Sequence, residues 1–419
     1  MKKLELLAPA GNSLKLETAF AHGADAVYLG IPDFSLRVRI NDFNLQSLAE
    51  GVKIAHSLKK KVYITLNIFA HNRHLAKIPA YIKVLKKLKV DALIISDPGI
   101  IALVKKYWSK AEIHLSTQAN CTNAEAVKFW AKQGVKRVIL GREVTLKAIK
   151  EIHKSAPRVD LEYFVHGAMC MAYSGRCFLS KELVDRSGNL GDCAQPCRWE
   201  YSIKARNHES EFDLVSEEHG TYLLNSKDLC LIEYLPQLIE AGISSFKIEG
   251  RAKSVYYQAL VSGIYARALD FLKKKPSVVA WKKEVKYLKA ELVDKLVHRG
   301  YTSGFLLGGK AEQNTTSANH LSAWEFCGQV VMPEKNWFKP ELKKGEHHLY
   351  FLVHNTIKLG DTTEIITPKY GIIKLSPKKM FDAKTGEELT EAHGGGGART
   401  VVVSIKEIVP ILSVLRRKK

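Results

Sequence analysis

The chain runs to 419 residues, 46% of them hydrophobic, and carries 64 Lys+Arg against 43 Asp+Glu for a formal charge of +21. Such a length accommodates a barrel of about 250 residues plus a domain of ~100; the apolar content excludes a disordered chain, and no run nears the ~18 apolar residues of a membrane span. The basic pair Lys2–Lys3 precedes too short an apolar run for a secretion signal, so a cytoplasmic protein with no membrane partner is expected.

In chain order, short apolar runs alternate with amphipathic segments. Strands are expected at Leu4–Ala8, Ala26–Leu29, Val62–Leu66, Ala92–Ser96, Glu112–Ser116, Arg137–Leu140, Leu161–Val165 and Ser245–Ile248. Between them Ser13–His22, Leu45–Leu58, Ile78–Leu88 and Ala124–Gln133 place apolar residues at three- and four-residue intervals, the period of a helix with one buried face. Continuous apolar strands alternating with helices predict right-handed βαβ units and a buried parallel sheet. No Gly-x-Gly-x-x-Gly follows any strand, so dinucleotide binding has no support. The expected fold is α/β: a (β/α)8 TIM-like barrel with a cysteine-rich insertion after strand seven, plus a small C-terminal β-barrel domain.

The barrel is expected over residues 1–307, with the insertion at about 167–225. Ser254–Leu272 reads as its closing helix and Trp281–Val297 as a further lysine-rich one. Residues 308–320 form a Gly/Asn/Thr/Ser-rich linker, and the C-terminal domain spans 321–419. There Phe326–Val331, His348–Val353, Glu364–Thr367 and Thr400–Ser404 look like short strands between turn residues. Gly394–Gly397 is a flexible loop tip, and the closing Arg416-Arg-Lys-Lys419 reads as a solvated basic tail.

Catalytic groups of such barrels sit at the C-terminal ends of strands. Those ends carry Asn12, Arg37, Arg39, Asn67, Asp97, Ser116, Gln118, Asn120, Arg142, Glu143, His166, Glu249 and Arg251. His166, Glu249 and Arg251 are the candidate catalytic groups; Arg39, Asn67, Gln118 and Arg142 are the candidate substrate-binding ones. The bland alternative is that Arg39, Arg142 and Arg251 form structural ion pairs with Asp97, Glu143 or Glu249.

Of the seven cysteines, the spacing Cys170-x6-Cys177-x15-Cys193-x3-Cys197, followed by Cys230, stands out. Clustered thiols in a reducing compartment point to metal or redox work rather than disulfides. Ser226 is expected to cap a helix that carries Cys230 in its first turn. Thiolates suit tetrahedral zinc or an iron–sulfur cluster, and the spacing leaves the metal open. Cys121 and Cys327 stand alone and read as inert buried thiols. There is no His-Glu-x-x-His and no Gly-x-Ser-x-Gly, and a Cys170–His166 pairing has no third, orienting group.

Glu162-Tyr-Phe-Val-His-Gly-Ala-Met-Cys170, continuing through Tyr173-Ser-Gly-Arg-Cys177-Phe-Leu-Ser180, resembles the signature of the collagenase-like peptidase family. Supporting segments are Leu7-Ala-Pro-Ala-Gly11, Gly191-Asp-Cys-Ala-Gln-Pro-Cys-Arg198, Asn225-Ser-Lys-Asp-Leu-Cys230 and Phe246-Lys-Ile-Glu-Gly-Arg251. The resemblance implies an oxygen-independent hydroxylation protein with a 4Fe–4S cluster on Cys170, Cys177, Cys193 and Cys230, with Cys197 as the alternative ligand. One branch of the family acts in ubiquinone synthesis, one hydroxylates the tRNA wobble uridine with prephenate, and a longer one modifies a ribosomal RNA cytidine. Tyr301-Thr-Ser-Gly-Phe305, Phe326-Cys-Gly-Gln-Val330 and Ile357-Lys-Leu-Gly-Asp361 are similar to C-terminal segments of the tRNA branch.

What the resemblance then implies is a tRNA-modifying hydroxylase, its positive surface holding the anticodon arm and its β domain touching RNA backbone. The target base would be drawn into the barrel mouth. Arginines at the rim (Arg39, Arg142, Arg251) match a small dicarboxylate co-substrate such as prephenate bidentately, an expectation from guanidinium chemistry alone. Peptidase activity, another hydroxylation substrate, a non-catalytic RNA-binding role and a paralogous partner subunit stay open as alternatives.

Overall fold

The apolar runs become the staves of a closed parallel barrel in the computed structural model, which describes residues 3–31, 34–35, 42–170, 172–199, 225–309, 312–314, 317, 319–395 and 399–419. Arg37, Arg39, the polar stretch 207–211, parts of the expected linker, and Gly396 and Gly397 lie outside them. The staves are β1 (Glu5–Pro9), β2 (Ala26–Gly30), β3 (Lys61–Leu66), β4 (Ala92–Ile95), β5 (Ile113–Leu115), β6 (Arg137–Ile139), β7 (Asp160–Gly167) and, after a short β8 (Asp228–Cys230), β9 (Ile243–Ile248). Each pairs in parallel with the next, and β9 closes the ring by pairing with both β7 and β1.

Helices α1 (Ser13–Ala21), α2 (Leu45–Ser57), α3 (Asn72–Leu75), α4 (Ile78–Leu88), α5 (Pro98–Tyr107), α6 (Ala124–Lys132), α7 (Leu146–Ser155) and α9 (Leu235–Glu240) connect the staves, and α8 (Leu179–Val184) lies in the insertion. Short polar side chains start several of them by accepting otherwise orphaned N–H groups. Asn44 accepts from Ser47 N–H, Asp97 from Ile100, Asn123 from Ala126 and Thr145 from Ala148. Asn12 plays a similar part, accepting from Lys15 N–H at 3.0 Å. Asp97 and Asn12, two of the expected rim residues, are thus occupied in starting helices.

Two expectations for the insertion's end are corrected. Cys230 lies on a strand rather than in a helix: β8 runs antiparallel to the overhanging tip of β7, with His166 opposite Cys230, and the next α-helix starts only at Leu235. Ser226 forms a β-bridge to Gln313 instead of a cap. The long-range ladder wins because β7 outruns β6 and offers unpaired backbone groups on that edge; Leu231 N–H donates to Val165 O at 2.8 Å. The described part of the expected linker is also pinned, through Lys227 N–H to Glu312 O (3.0 Å) and Asn314 N–H to Asn225 O (2.8 Å). β10 (Tyr301–Thr302) then pairs in parallel with β8.

The chain divides into two compact units. The first, Met1–Leu16, Asp25–Ala252 and Val297–His320, holds the barrel strands. The second, Glu17–Ala24, Lys253–Leu296 and Leu321–Lys419, groups α10 (Val255–Lys273) and α11 (Val278–Lys295) with the C-terminal strands. Those strands are β11 (Trp324–Val330), β12 (His347–Val353), β13 (Ile357–Lys358), β14 (Thr363–Thr367), β15 (Gly371–Leu375), β16 (Met380–Asp382), β17 (Glu388–Leu389), β18 (Glu391–Ala392), β19 (Thr400–Ile405) and β20 (Val414–Lys418). Eight form an antiparallel sheet in the order β15-β14-β20-β11-β12-β19-β16-β17 around a core that includes Phe351, Ile365, Val401 and Leu415; its end strands β15 and β17 do not pair with each other among the described residues.

The C-terminal residues are not a solvated tail. They form β20, central in that sheet, and Arg416 is fully buried. The guanidinium bonds Glu364 (Nε–Oε2, 2.8 Å), Glu291 (Nη2–Oε2, 2.8 Å) and Tyr370 OH (3.2 Å), while Arg417 meets Glu325 and Asp361. A buried arginine is tolerated only with its charge and donors satisfied. Among the described residues, no helix is long and apolar enough to cross a membrane.

Candidate active site at the barrel mouth

Side chains alternate along a strand, so β9 and the turn after it send Ser245, Lys247, Glu249 and Arg251 to one face. Ser245 and Lys247 are buried in an ionic layer. There Glu5 and Glu162 face Arg137 and Lys247: Arg137 Nη1 lies 3.2 Å from Glu162, Lys247 Nζ 2.8 Å from Glu162, and Arg137 also binds Glu5. Ser245 Oγ sits between the two carboxylates (3.0 and 3.1 Å), its one hydrogen shared between them, and Tyr63 OH donates to Glu5 (2.7 Å). Burial raises the Glu5 carboxyl, but the charge and hydrogen bonds of Arg137 and the Tyr63 hydroxyl outweigh it and hold the group at about 2. Burial likewise pulls Lys247 down, against the pull of Glu162.

Above this layer the barrel opens into a cavity of about 1240 Å³, counted with its solvent-open mouth. Lys247, Tyr28 and Phe164 line it, with Lys247 Nζ 4.3 Å from the Tyr28 ring and 5.4 Å from Phe164. Arg142 stacks on Phe164 at 3.7 Å. Its Nε is buried without a hydrogen-bond partner, and Arg142 enters no ion pair among the described residues. Arg251 Nη1 donates to Ser35 Oγ (3.3 Å) and Thr65 Oγ1 (3.4 Å). Gly30 makes room for it, since a Cβ there would sit 2.5 Å from Arg251 Nη1. Gly167, at φ +108°, lets β7 close on β9; a Cβ would meet Glu249 O at 2.3 Å.

The rim residues read from the strand ends separate into two groups. Asn67, Ser116, Gln118, Arg142, Glu249 and Arg251 line the cavity. Asn67 Nδ2 donates to Ser116 Oγ (3.3 Å) and Gln118 Oε1 (3.2 Å), a fixed polar wall. Asn120 and Glu143 instead bind Ser174 and so anchor the insertion. His166 is buried beside Tyr301 at 5.4 Å between ring centroids and is absent from the cavity wall. Arg39 lies outside the described residues. Lys247, Tyr28 and Phe164 were not expected from strand-end position; for Lys247 the two-residue spacing to Glu249 and Arg251 was the available signal.

The insertion forms the remaining wall. Cys170, Cys177, Cys193 and Cys197 all line the cavity; Cys230 is buried on β8, outside the wall. Burial pushes the Cys197 thiol up, Arg198 opposes this, and the neighbouring Cys170, Cys193 and Cys177 add to the rise. Leu179 N–H donates to Cys177 Sγ (3.4 Å) and Gln195 N–H to Cys193 Sγ (3.3 Å). Among the described residues no three thiol, imidazole or carboxylate groups already stand in metal-ligand geometry. The donor set itself, four thiols on one wall with backbone N–H groups aimed at two of the sulfurs, suits a soft metal or an iron–sulfur cluster.

Against known proteins, the model of Peptidase family U32 matches residues 11–316. The tRNA hydroxylation protein P of Escherichia coli is 38% identical, covering 94% of this chain and 93% of its own length. Its namesake from Helicobacter pylori is 41% identical over 89% of this chain and 86% of its own, and a collagenase of Porphyromonas gingivalis 29% identical over 92% and 94%. With a barrel, a cysteine wall and this extent of match, the chain belongs to Peptidase family U32.

Proposed function

We propose that this protein is a tRNA hydroxylase that acts on C5 of the wobble uridine, with a resident 4Fe–4S cluster and a prephenate-like dicarboxylate as co-substrate. The observation that carries it is the meeting of four thiols with cationic side chains in one cavity. Relatives named for tRNA hydroxylation, similar over about nine-tenths of the chain, support the RNA substrate. When bound, the cluster supplies one-electron chemistry without oxygen.

The protein's own residues do the rest. Cys170, Cys177 and Cys193 supply three thiolates, with Cys230 behind the wall or Cys197 on it as the fourth. The Leu179 and Gln195 N–H groups stabilise negative charge on sulfur. Arg142 and Arg251 orient carboxylates bidentately, with Arg39 a third cation in this reading. The target base enters from the solvent-open side toward Asn67 and Gln118, which offer amide groups to its edge. Tyr28 and Phe164 exclude water from the floor.

Mass spectrometry of tRNA nucleosides tests this. A deletion strain should lack the hydroxyuridine-derived nucleoside, and the wild-type gene should restore it while Cys193→Ser does not. Anaerobically purified protein should be brown, and iron content of Cys230→Ser against Cys197→Ser identifies the fourth ligand. Arg→Lys at positions 39, 142 and 251 should weaken co-substrate use; unchanged activity in all three removes their role. The collagenase name of one relative keeps a second reading in play. A colourless protein that cleaves gelatin, and stops on Cys170→Ala, would establish that one instead.

A further inference from the structure

Exposed aromatic side chains are costly unless something covers them, and they gather at the insertion side of the mouth. Phe178 is 78% exposed, Tyr173 56% and Phe69 38%. Phe178 follows Cys177 and Tyr173 follows Ala172, both on the cavity wall. Phe69, just past β3, is tied to the insertion: its N–H donates to Asn189 O at 3.0 Å, and the Arg176 guanidinium lies 5.2 Å over its ring. Arg176 Nε in turn donates to Gln118 O at 2.8 Å. Three aromatic faces and one cation therefore stand beside the opening.

The flank next to Phe69 is one-signed. From His71 to Val90 the chain has Arg73, Lys77, Lys83, Lys86, Lys87 and Lys89 and no acidic residue. Arg73, Lys83, Lys86, Lys87 and Lys89 are exposed and enter no ion pair among the described residues. Helix α4 carries Lys83, Lys86 and Lys87 at three- and four-residue spacing, so they form one stripe; it leads from the mouth down the outside of the barrel, since Asp91 N–H just past α4 donates to Val62 O at the start of β3 (3.1 Å).

We infer that Tyr173 and Phe178 of the insertion, Phe69 after β3 and the outer face of α4 form the RNA-docking face: the three aromatic rings stack unpaired bases of a hairpin loop at the mouth, and the α3–α4 cations take the phosphates of its stem along the outside of the barrel. The inference rests on the proposed RNA substrate and assigns its recognition to the barrel unit. Aromatic faces with flanking cations fit single-stranded nucleic acid, since every base has a stackable face and every linkage a charge.

Fluorescence anisotropy of the full-length, anaerobically prepared protein tests it, with a labelled RNA hairpin and a blunt RNA duplex of the same stem as probes. Tyr173→Ala with Phe178→Ala should weaken hairpin binding about 10-fold or more and leave duplex binding within about 2-fold, because only unpaired bases present a free face for an aromatic ring to stack on. Lys83→Glu with Lys87→Glu should weaken both probes and flatten the salt dependence. The aromatic positions are solvent-exposed, so these variants fold. Wild-type hairpin affinity in both double variants overturns the docking face while leaving the hydroxylation reading intact. Wild-type protein that binds neither probe at low salt overturns both.

Discussion

A buried ionic cluster in each unit sets the barrel apart from the C-terminal sheet. In the sheet unit Arg416 is enclosed by Glu291, Glu364 and Tyr370, every contact made within the protein and none on the cavity. In the barrel, Glu162 holds Lys247 and is itself tied to Arg137, which also binds Glu5, and Lys247 opens onto the cavity floor. A sealed cluster has only structure to serve, because its desolvation cost is offset solely by its own pairings. A cluster that ends on a cavity fixes a charge where a ligand can meet it, and Arg142, stacked but unpaired above it, is a cation left for something the fold does not supply.

The difference can be broken from both ends. Arg137→Met and Arg416→Met each strand buried carboxylates, and each should cost about 3–5 kcal/mol, read from the urea midpoint. The barrel variant should also lose hydroxylation per folded molecule; the sheet variant should keep it. Equal activity loss in both would erase the distinction.

Acid separates the units by window. The Glu5 carboxyl is held at about 2 against 4.5 unfolded, so its contribution is full above pH 4.5 and vanishes as pH falls through 2. In the sheet unit burial drives His22 down to about 4 from 6.5, opposed by its bond to Leu412 O. The unfolded chain then binds the extra proton between pH 6.5 and 4, and stability falls across that higher window. Each shift corresponds to about 3 kcal/mol. Urea midpoints against pH should lose slope between pH 6.5 and 4 in His22→Gln, and only below pH 4.5 in Glu5→Gln; coincident changes would contradict the assignment.

The staves were legible because parallel buried strands are near-continuous apolar runs, and the rim because strand ends mark the mouth. The clusters were not. Arg137 opens one apolar strand and Lys247 interrupts another, and a charge at either place looks solvent-facing until the barrel closes around it. Arg416 looked like tail because its carboxylates are 52 and 125 residues away. Cys230 was placed on a helix by a local capping pattern that β7's spare backbone groups overrode. Arg39 and its role remain an expectation from sequence.

Arg142 sharpens the comparison with a smaller effect on stability. Removing a buried donor that has no partner should cost nothing or gain up to ~1 kcal/mol. Arg142→Met should therefore melt at or slightly above wild type while co-substrate use collapses. A loss beyond ~2 kcal/mol would reveal an ordinary structural arginine.

Thiols give the smallest expected effect. Burial pushes Cys121 in the barrel unit and Cys327 in the sheet unit up to about 12, which leaves almost no thiolate at neutral pH, whereas Cys170 is exposed. Iodoacetamide on metal-free folded protein should label Cys170 and spare both buried thiols, mapped by peptide mass. Cys327→Ala removes one atom from the packed core of the sheet and should cost about 1 kcal/mol. Iron content should stay at the wild-type level in that variant, because none of the atoms proposed to hold the cluster belongs to the sheet unit; iron lost on Cys327→Ala would make the sheet part of the site and end the division drawn between the two clusters.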